Sequence, residues 1–223
     1  MDEELESPQF ENADYWVEHH NTAIELKSLT KNGMTDDVFR SWIESRYGLW
    51  IKNGWAPRPA KQPFSFNLRD LDRRCYEDVL QKLVKKLESN IVRKANRQIR
   101  ETRHFFGRND ARGILAIAND GDHSLPPGMV KNAIARLLAG QKYPCISNVL
   151  HFTANALTEK DGDPNLYYFW ADWYIPSRTS APRELIDSLR ENWISEHQRL
   201  TGIAGTRVQP ESSAPLYELK FVV

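Results

Sequence analysis

Apolar positions along this chain change period several times. From Leu71 to Phe106, the residues Val79, Leu80, Leu83, Leu87, Ile91, Ala95, Ile99 and Phe106 recur at helical spacing, with no Gly or Pro inside the run. That spacing predicts one long helix, or two divided near Ser89-Asn90. Gly113-Ile114-Leu115-Ala116-Ile117-Ala118 is a continuous apolar run, the pattern of a strand covered on both faces, and Asp120-Gly121-Asp122 ends it. Met129 to Leu138 predicts a short helix behind Pro126-Pro127, and Ser147 to Thr153 a second buried strand. Near the N-terminus, Tyr15-Trp16-Val17 and Ala23-Ile24-Glu25-Leu26 flank His19-His20-Asn21-Thr22. This predicts a hairpin, because Asn is favoured where a tight turn needs positive φ. The resulting alternation of strand and helix implies an α/β sandwich.

The remaining segments elaborate that core. Asp36 to Trp50 predicts an amphipathic helix carrying Val38, Trp42, Ile43 and Tyr47, and Pro57, Pro59 and Pro63 then enforce a loop. The aromatic-rich stretch of about 32–70 reads as a helical insertion. Leu166 to Ile175 predicts a strand, Pro182 to Leu200 a helix and Leu216 to Val223 a last strand, in the same sheet system or as a small cap. The expected organisation is one domain over residues 1–223, with a core at about 12–31 and 90–155 and a C-terminal extension at about 165–223.

Composition narrows the class without naming a partner. Thirty basic residues balance thirty acidic ones, so only local patches can steer a charged ligand. Two distant cysteines, Cys75 and Cys145, make neither a disulfide framework nor a zinc site. The opening Met1-Asp2-Glu3-Glu4-Leu5-Glu6 lacks the apolar run of a secretory signal, and no stretch approaches the ~18 apolar residues of a membrane span. The expectation is a soluble, cytoplasmic protein without a membrane partner.

Candidate chemistry lies in the hairpin. With His20-Asn21 as central turn residues, Asp14 faces Lys27 and Trp16 faces Glu25. Side chains alternate along a strand, so Asp14, Glu25, Lys27 and Glu18 emerge on one face. Carboxylates are natural ligands for Mg²⁺, and a backbone carbonyl such as that of Leu26 completes the set. Lys27 beside them is suited to orient or deprotonate an attacking water, or to face a phosphate.

The pattern Asp14-x₁₀-Glu25-Leu26-Lys27, within Ala23-Ile24-Glu25-Leu26-Lys27-Ser28-Leu29, resembles the active-site signature of the PD-(D/E)XK nuclease superfamily. The helix bearing Lys94-Ala95-Asn96-Arg97-Gln98-Ile99-Arg100-Glu101-Thr102 resembles the one that follows the catalytic strand in recombination-type members, which place a Gln where Gln98 stands. The sequence departs from that pattern in three ways. Ala13 replaces a frequent Pro, Thr102 stands where the recombination-type motif has Tyr, and only 13 residues precede Asp14. The family's opening helix is therefore reduced to Glu3–Phe10 or replaced. The resemblance implies a restriction-endonuclease-like α/β sandwich, a central mixed sheet flanked by helices, hydrolysing phosphodiester bonds in DNA. It implies Mg²⁺ (or Mn²⁺) at Asp14, Glu25 and the Leu26 carbonyl, with catalytic roles for Asp14, Glu25, Lys27 and Gln98.

Arg93, Lys94, Arg97, Arg100, Arg103 and Arg108 form a basic cluster, in which Arg93, Arg97 and Arg100 share a helix face suited to phosphates. The competing Glu218-Leu219-Lys220 triplet has no helix after it and reads as ordinary strand. Two other functions fit the same residues. One is a catalytically inactive nuclease-fold module for nucleic-acid binding or protein–protein assembly. The other is protein interaction, with a homodimer or a partner subunit docking on the aromatic insertion.

Overall fold

A computed structural model describes residues 12–30, 37–58, 71–121, 126–154, 156–160, 164, 166–202, 206–207 and 219–222. Its central sheet has five strands: β1 (Tyr15–Val17), β2 (Thr22–Thr30), β3 (Arg112–Asp120), β4 (Asn148–Thr153) and β7 (Trp170–Tyr174), in the order β1-β2-β3-β4-β7. The three inner strands run parallel and both edge strands antiparallel to their neighbours, so the sheet is mixed. The long stripe gives α2 (Arg73–Leu87) and α3 (Arg93–Phe105), joined by a π-helical turn at Glu88–Val92. The expected division near Ser89-Asn90 is thus a wide turn within one rod.

Two apolar layers sandwich the sheet. On one face, Leu115, Ile117 and Val149 pack with Leu80, Leu83 and Leu87 of α2, Ala95 and Ile99 of α3, and Ala133 and Ile134 of α4 (Pro127–Leu138). On the other, Ile24, Ile114, Ala116 and Leu150 meet Leu185 and Ile186 of α5 (Arg183–Thr201). Residues 113–119 of β3 are all buried, as the unbroken apolar run requires of a strand covered on both sides. Gly113 sits where a Cβ would lie 2.0 Å from the Cys145 carbonyl oxygen and 2.7 Å from Ile99 Cγ2. The backbone there cannot easily give way: Asn96 Oδ1 accepts the Cys145 amide at 2.9 Å and an Arg103 guanidinium nitrogen donates to the Cys145 carbonyl at 2.9 Å.

The aromatic stretch contributes to the first of these layers. α1 (Asp37–Lys52) buries Phe39, Tyr47 and Trp50 there, and Asp78 of α2 accepts from both Trp50 Nε1 at 2.8 Å and Arg46 Nε at 2.7 Å. Trp50 is therefore closed to a docking partner, while Trp42 and Trp55 stay partly exposed at the edge of this cluster.

Several sequence expectations need correction. The hairpin register is Tyr15↔Ile24, Trp16↔Ala23 and Val17↔Thr22, two residues from the expected one. The turn is longer than two residues. Glu18–His20 forms a 3₁₀ turn that takes Glu18 out of the strand, and only Asn21 adopts positive φ, at 46°. A slip of two preserves which face each side chain takes. The single strand expected at Leu166–Ile175 divides at Phe169: β6 (Tyr167–Tyr168) joins a second sheet, while β7 closes the central one. That second sheet, ordered β8-β6-β5-β9, combines β5 (Leu157–Lys160), β6, β8 (Thr206–Arg207) and β9 (Leu219–Val222). The C-terminal strand thus belongs to a small separate sheet. The expected helix at 3–10, Asp122 and Glu218 lie outside the described residues.

Candidate active site

Parallel pairing of β2 with β3 sets Glu25 beside Leu115 and Lys27 beside Ile117, which places both charged side chains on the α3 side of the sheet. Asp14 immediately precedes β1, level with Glu25 in the observed register. Its Oδ2 accepts the Leu26 amide at 2.7 Å, fixing the carboxylate against β2. A strand residue points its N–H and C=O to the same side, so the Leu26 carbonyl also faces the Asp14 edge. Asp14 is open to solvent and Glu25 is wholly buried.

Lys27 connects the acidic pair to α3. Its Nζ forms an ion pair with Glu25 Oε1 and donates to Gln98 Oε1 at 2.9 Å. Gln98 Nε2 in turn donates to the Asn12 carbonyl at 3.2 Å, which commits the amide oxygen to the lysine. Apart from that ion pair and the nearby Asp14 amide, the buried Glu25 oxygens have no hydrogen-bond partner. Burial pushes the Glu25 carboxyl up from 4.5 to about 6. Lys27 offsets part of that, the Asp14 charge adds to it, and the Asp14 backbone amide lowers it slightly.

This donor set fits a hard divalent cation. Mg²⁺ takes oxygen ligands, keeps several waters and is usually held by one or two carboxylates together with substrate phosphate. Asp14, Glu25 and the Leu26 carbonyl offer such oxygens, and the buried Glu25 carboxylate keeps acceptor capacity beyond its Lys27 ion pair that a cation would satisfy. Among the described residues, no group of three His, Cys, Asp or Glu side chains could hold a metal, so water and substrate must supply the other positions.

Asp14, Glu25, Lys27 and Gln98 therefore come together, but the arginine row does not join them. At ~100° per residue, Arg93, Arg97 and Arg100 lie roughly 100–160° around α3 from Gln98. They are exposed on its outer face, and Arg100 stands 3.6 Å from Glu101. Arg103, grouped with them by sequence, points inward to the Cys145 carbonyl. Lys94, one turn before Gln98 and exposed, is better placed beside the site. Thr102, one turn after Gln98, accepts the Ala13 amide at 2.7 Å. In the sequence Thr102 is marked only as a departure from the recombination-type motif, which implies no role for it. The available signal was two polar residues four apart, Gln98 and Thr102, beside an apolar helix stripe.

No family model matches the chain, and neither a curated protein nor a solved structure matches it. The fold defines an α/β protein with a five-stranded mixed sheet between helices. No described helix is long and apolar enough to cross a membrane.

Proposed function

We propose that this chain is a divalent-metal-dependent nuclease of restriction-endonuclease-like fold that hydrolyses phosphodiester bonds in DNA. The observation that carries the reading is the convergence of Asp14, Glu25, Lys27 and Gln98 on one side of the β1–β2 hairpin, with a buried carboxylate whose acceptor capacity goes beyond its Lys27 ion pair. Asp14, Glu25 and the Leu26 carbonyl would hold Mg²⁺ or Mn²⁺. Such an ion polarises a phosphoryl oxygen and lowers the pKa of a bound water.

The chain's own residues supply the rest. Lys27, held by Gln98, places a positive charge beside the carboxylates, where it can orient the attacking water or meet the phosphate. Gln98 keeps that ammonium directed and ties it to the segment preceding Asp14. Arg93, Arg97 and Arg100 would contact phosphates away from the reacting bond, so they serve binding rather than chemistry. A homodimer would give two such sites for cutting both strands of a duplex.

The deciding experiment is cleavage of linear and circular DNA with Mg²⁺ or Mn²⁺, run beside Glu25→Ala. Cleavage by the parent chain that is lost in the variant supports the reading, and activity surviving the substitution removes it. A second reading is a catalytically inactive module of the same fold for nucleic-acid binding or assembly. What favours it is that the described side chains supply two metal ligands at most and Lys27 already neutralises Glu25. In that case no metal supports cleavage, and Asp14→Ala leaves DNA or partner binding unchanged.

A further inference from the structure

We propose that Thr102 is a positioning residue for Asp14, holding the peptide that delivers the Asp14 carboxylate to Glu25 and Leu26. This rests on the metal-dependent reading of the same site. Thr102 is wholly buried on α3, and its hydroxyl oxygen accepts the Ala13 amide at 2.7 Å. One turn earlier, Gln98 Nε2 donates to the Asn12 carbonyl at 3.2 Å. One face of α3 thus grips residue 12 by its acceptor and residue 13 by its donor.

The grip is placed where the sheet supplies none. The β1–β2 ladder begins with Tyr15↔Ile24, so the chain on which Asp14 arrives is not yet part of it. Beyond this grip, Asp14 is anchored by its own carboxylate on the Leu26 amide at 2.7 Å. Ala13 is 2% exposed, so its amide has no water to turn to if the hydroxyl is removed. An unpaired buried donor is costly, and the segment would shift to relieve it, carrying Asp14 away from Glu25. The same helix face orients Lys27 through Gln98, so α3 sets the acid and the amine together.

The test is calorimetric titration of Mn²⁺ into the metal-free full chain, comparing the parent with Thr102→Val, Thr102→Ser, Asp14→Asn and the distant core variant Ile134→Val. Thr102→Ser should bind as the parent does. Thr102→Val should bind at least about tenfold more weakly, the scale seen when groups that orient metal ligands are lost. Ile134→Val should bind normally even where its melting temperature falls, which separates positioning from general destabilisation. If Asp14→Asn weakens binding and Thr102→Val does not, the positioning role is wrong and the metal site stands. If the parent binds no Mn²⁺, or Asp14→Asn binds like the parent, the metal reading fails and this role with it. Should Thr102→Val not fold, hydrogen exchange on the parent still decides. The Ala13 amide should exchange at least about a hundredfold more slowly than in an open chain. Open-chain exchange there overturns the proposal.

Discussion

Lys27 Nζ donates to Gln98 Oε1 at 2.9 Å across 71 residues of sequence, and the other end of the same amide is fixed by the Asn12 carbonyl. Gln98 is therefore committed to presenting its oxygen to the ammonium. Gln98→Met keeps the volume and removes both bonds. It should lower single-turnover DNA cleavage with Mn²⁺ by about 10–100-fold, as loss of an orienting partner does elsewhere. An unchanged rate would show that Lys27 needs no such support.

Glu25 makes stability depend on pH in an unusual direction for an acid. Burial lifts its carboxyl from 4.5 to about 6, so the folded chain keeps the proton to higher pH than the unfolded one. In the presence of a chelator, the contribution is full below about pH 4.5 and declines as pH rises through about 6, by on the order of 2 kcal/mol. Glu25→Gln should remove that step and be the more stable protein at pH 8, while cutting no DNA. Urea denaturation of both proteins from pH 4 to pH 8 reads the difference. His151 acts with opposite sign: burial lowers its pKa from 6.5 to about 3, so stability is lost as pH falls below about 6.5. That trend is common to both proteins and cancels between them.

The same histidine offers a separate test. His151 is wholly buried on β4 beside the Phe169 ring, at 4.9 Å between centroids, and neither ring nitrogen has a hydrogen-bond partner. Burying polar atoms without partners is costly, so His151→Leu should raise stability by about 1–2 kcal/mol. A fall in stability with normal packing would mean that the imidazole has a partner in solution.

Gly113 allows no such latitude. Its missing Cβ leaves room for the Cys145 carbonyl, which Arg103 holds directly and Asn96 steadies through the Cys145 amide. Gly113→Ala forces β3, α3 and that loop apart. It should cost more than about 3 kcal/mol, measured by the denaturation midpoint.

The arginine row is expected to act on affinity alone. Replacing Arg93, Arg97 and Arg100 with Gln should weaken DNA binding and reduce the slope of log affinity against log salt by about 3. The cleavage rate at saturating DNA should not change, because the row lies on the outer face of α3. A fall in that rate at saturation would place these residues in the chemistry.

What the sequence disclosed follows its physics. The stripe from Val79 to Ile99 and the run from Gly113 to Ala118 were legible because burial imposes period on them. The shared face of Asp14, Glu25 and Lys27 was legible for a narrower reason: any register with the same parity yields it. The actual register was not, since His19-His20-Asn21 admits either a two-residue turn or the 3₁₀ turn observed. Nor was the break at Phe169, where an unbroken aromatic run leaves one sheet for another. Thr102 was hidden because its partner, Ala13, lies 89 residues away and nothing local marks the contact.

The wide turn at Glu88–Val92 governs the phase of everything after it. Upstream, the rod is keyed to α1 and α4 through Asp78 and Glu77, and downstream it must present Gln98 and Thr102 to the hairpin. Shortening that turn by one residue would rotate the downstream half by ~100°, enough to swing both polar side chains off residues 12 and 13 while leaving the upstream packing intact. The cluster of Asp14, Lys27 and Gln98 is thus clocked by a helical defect about two to three turns before the α3 residues that hold it.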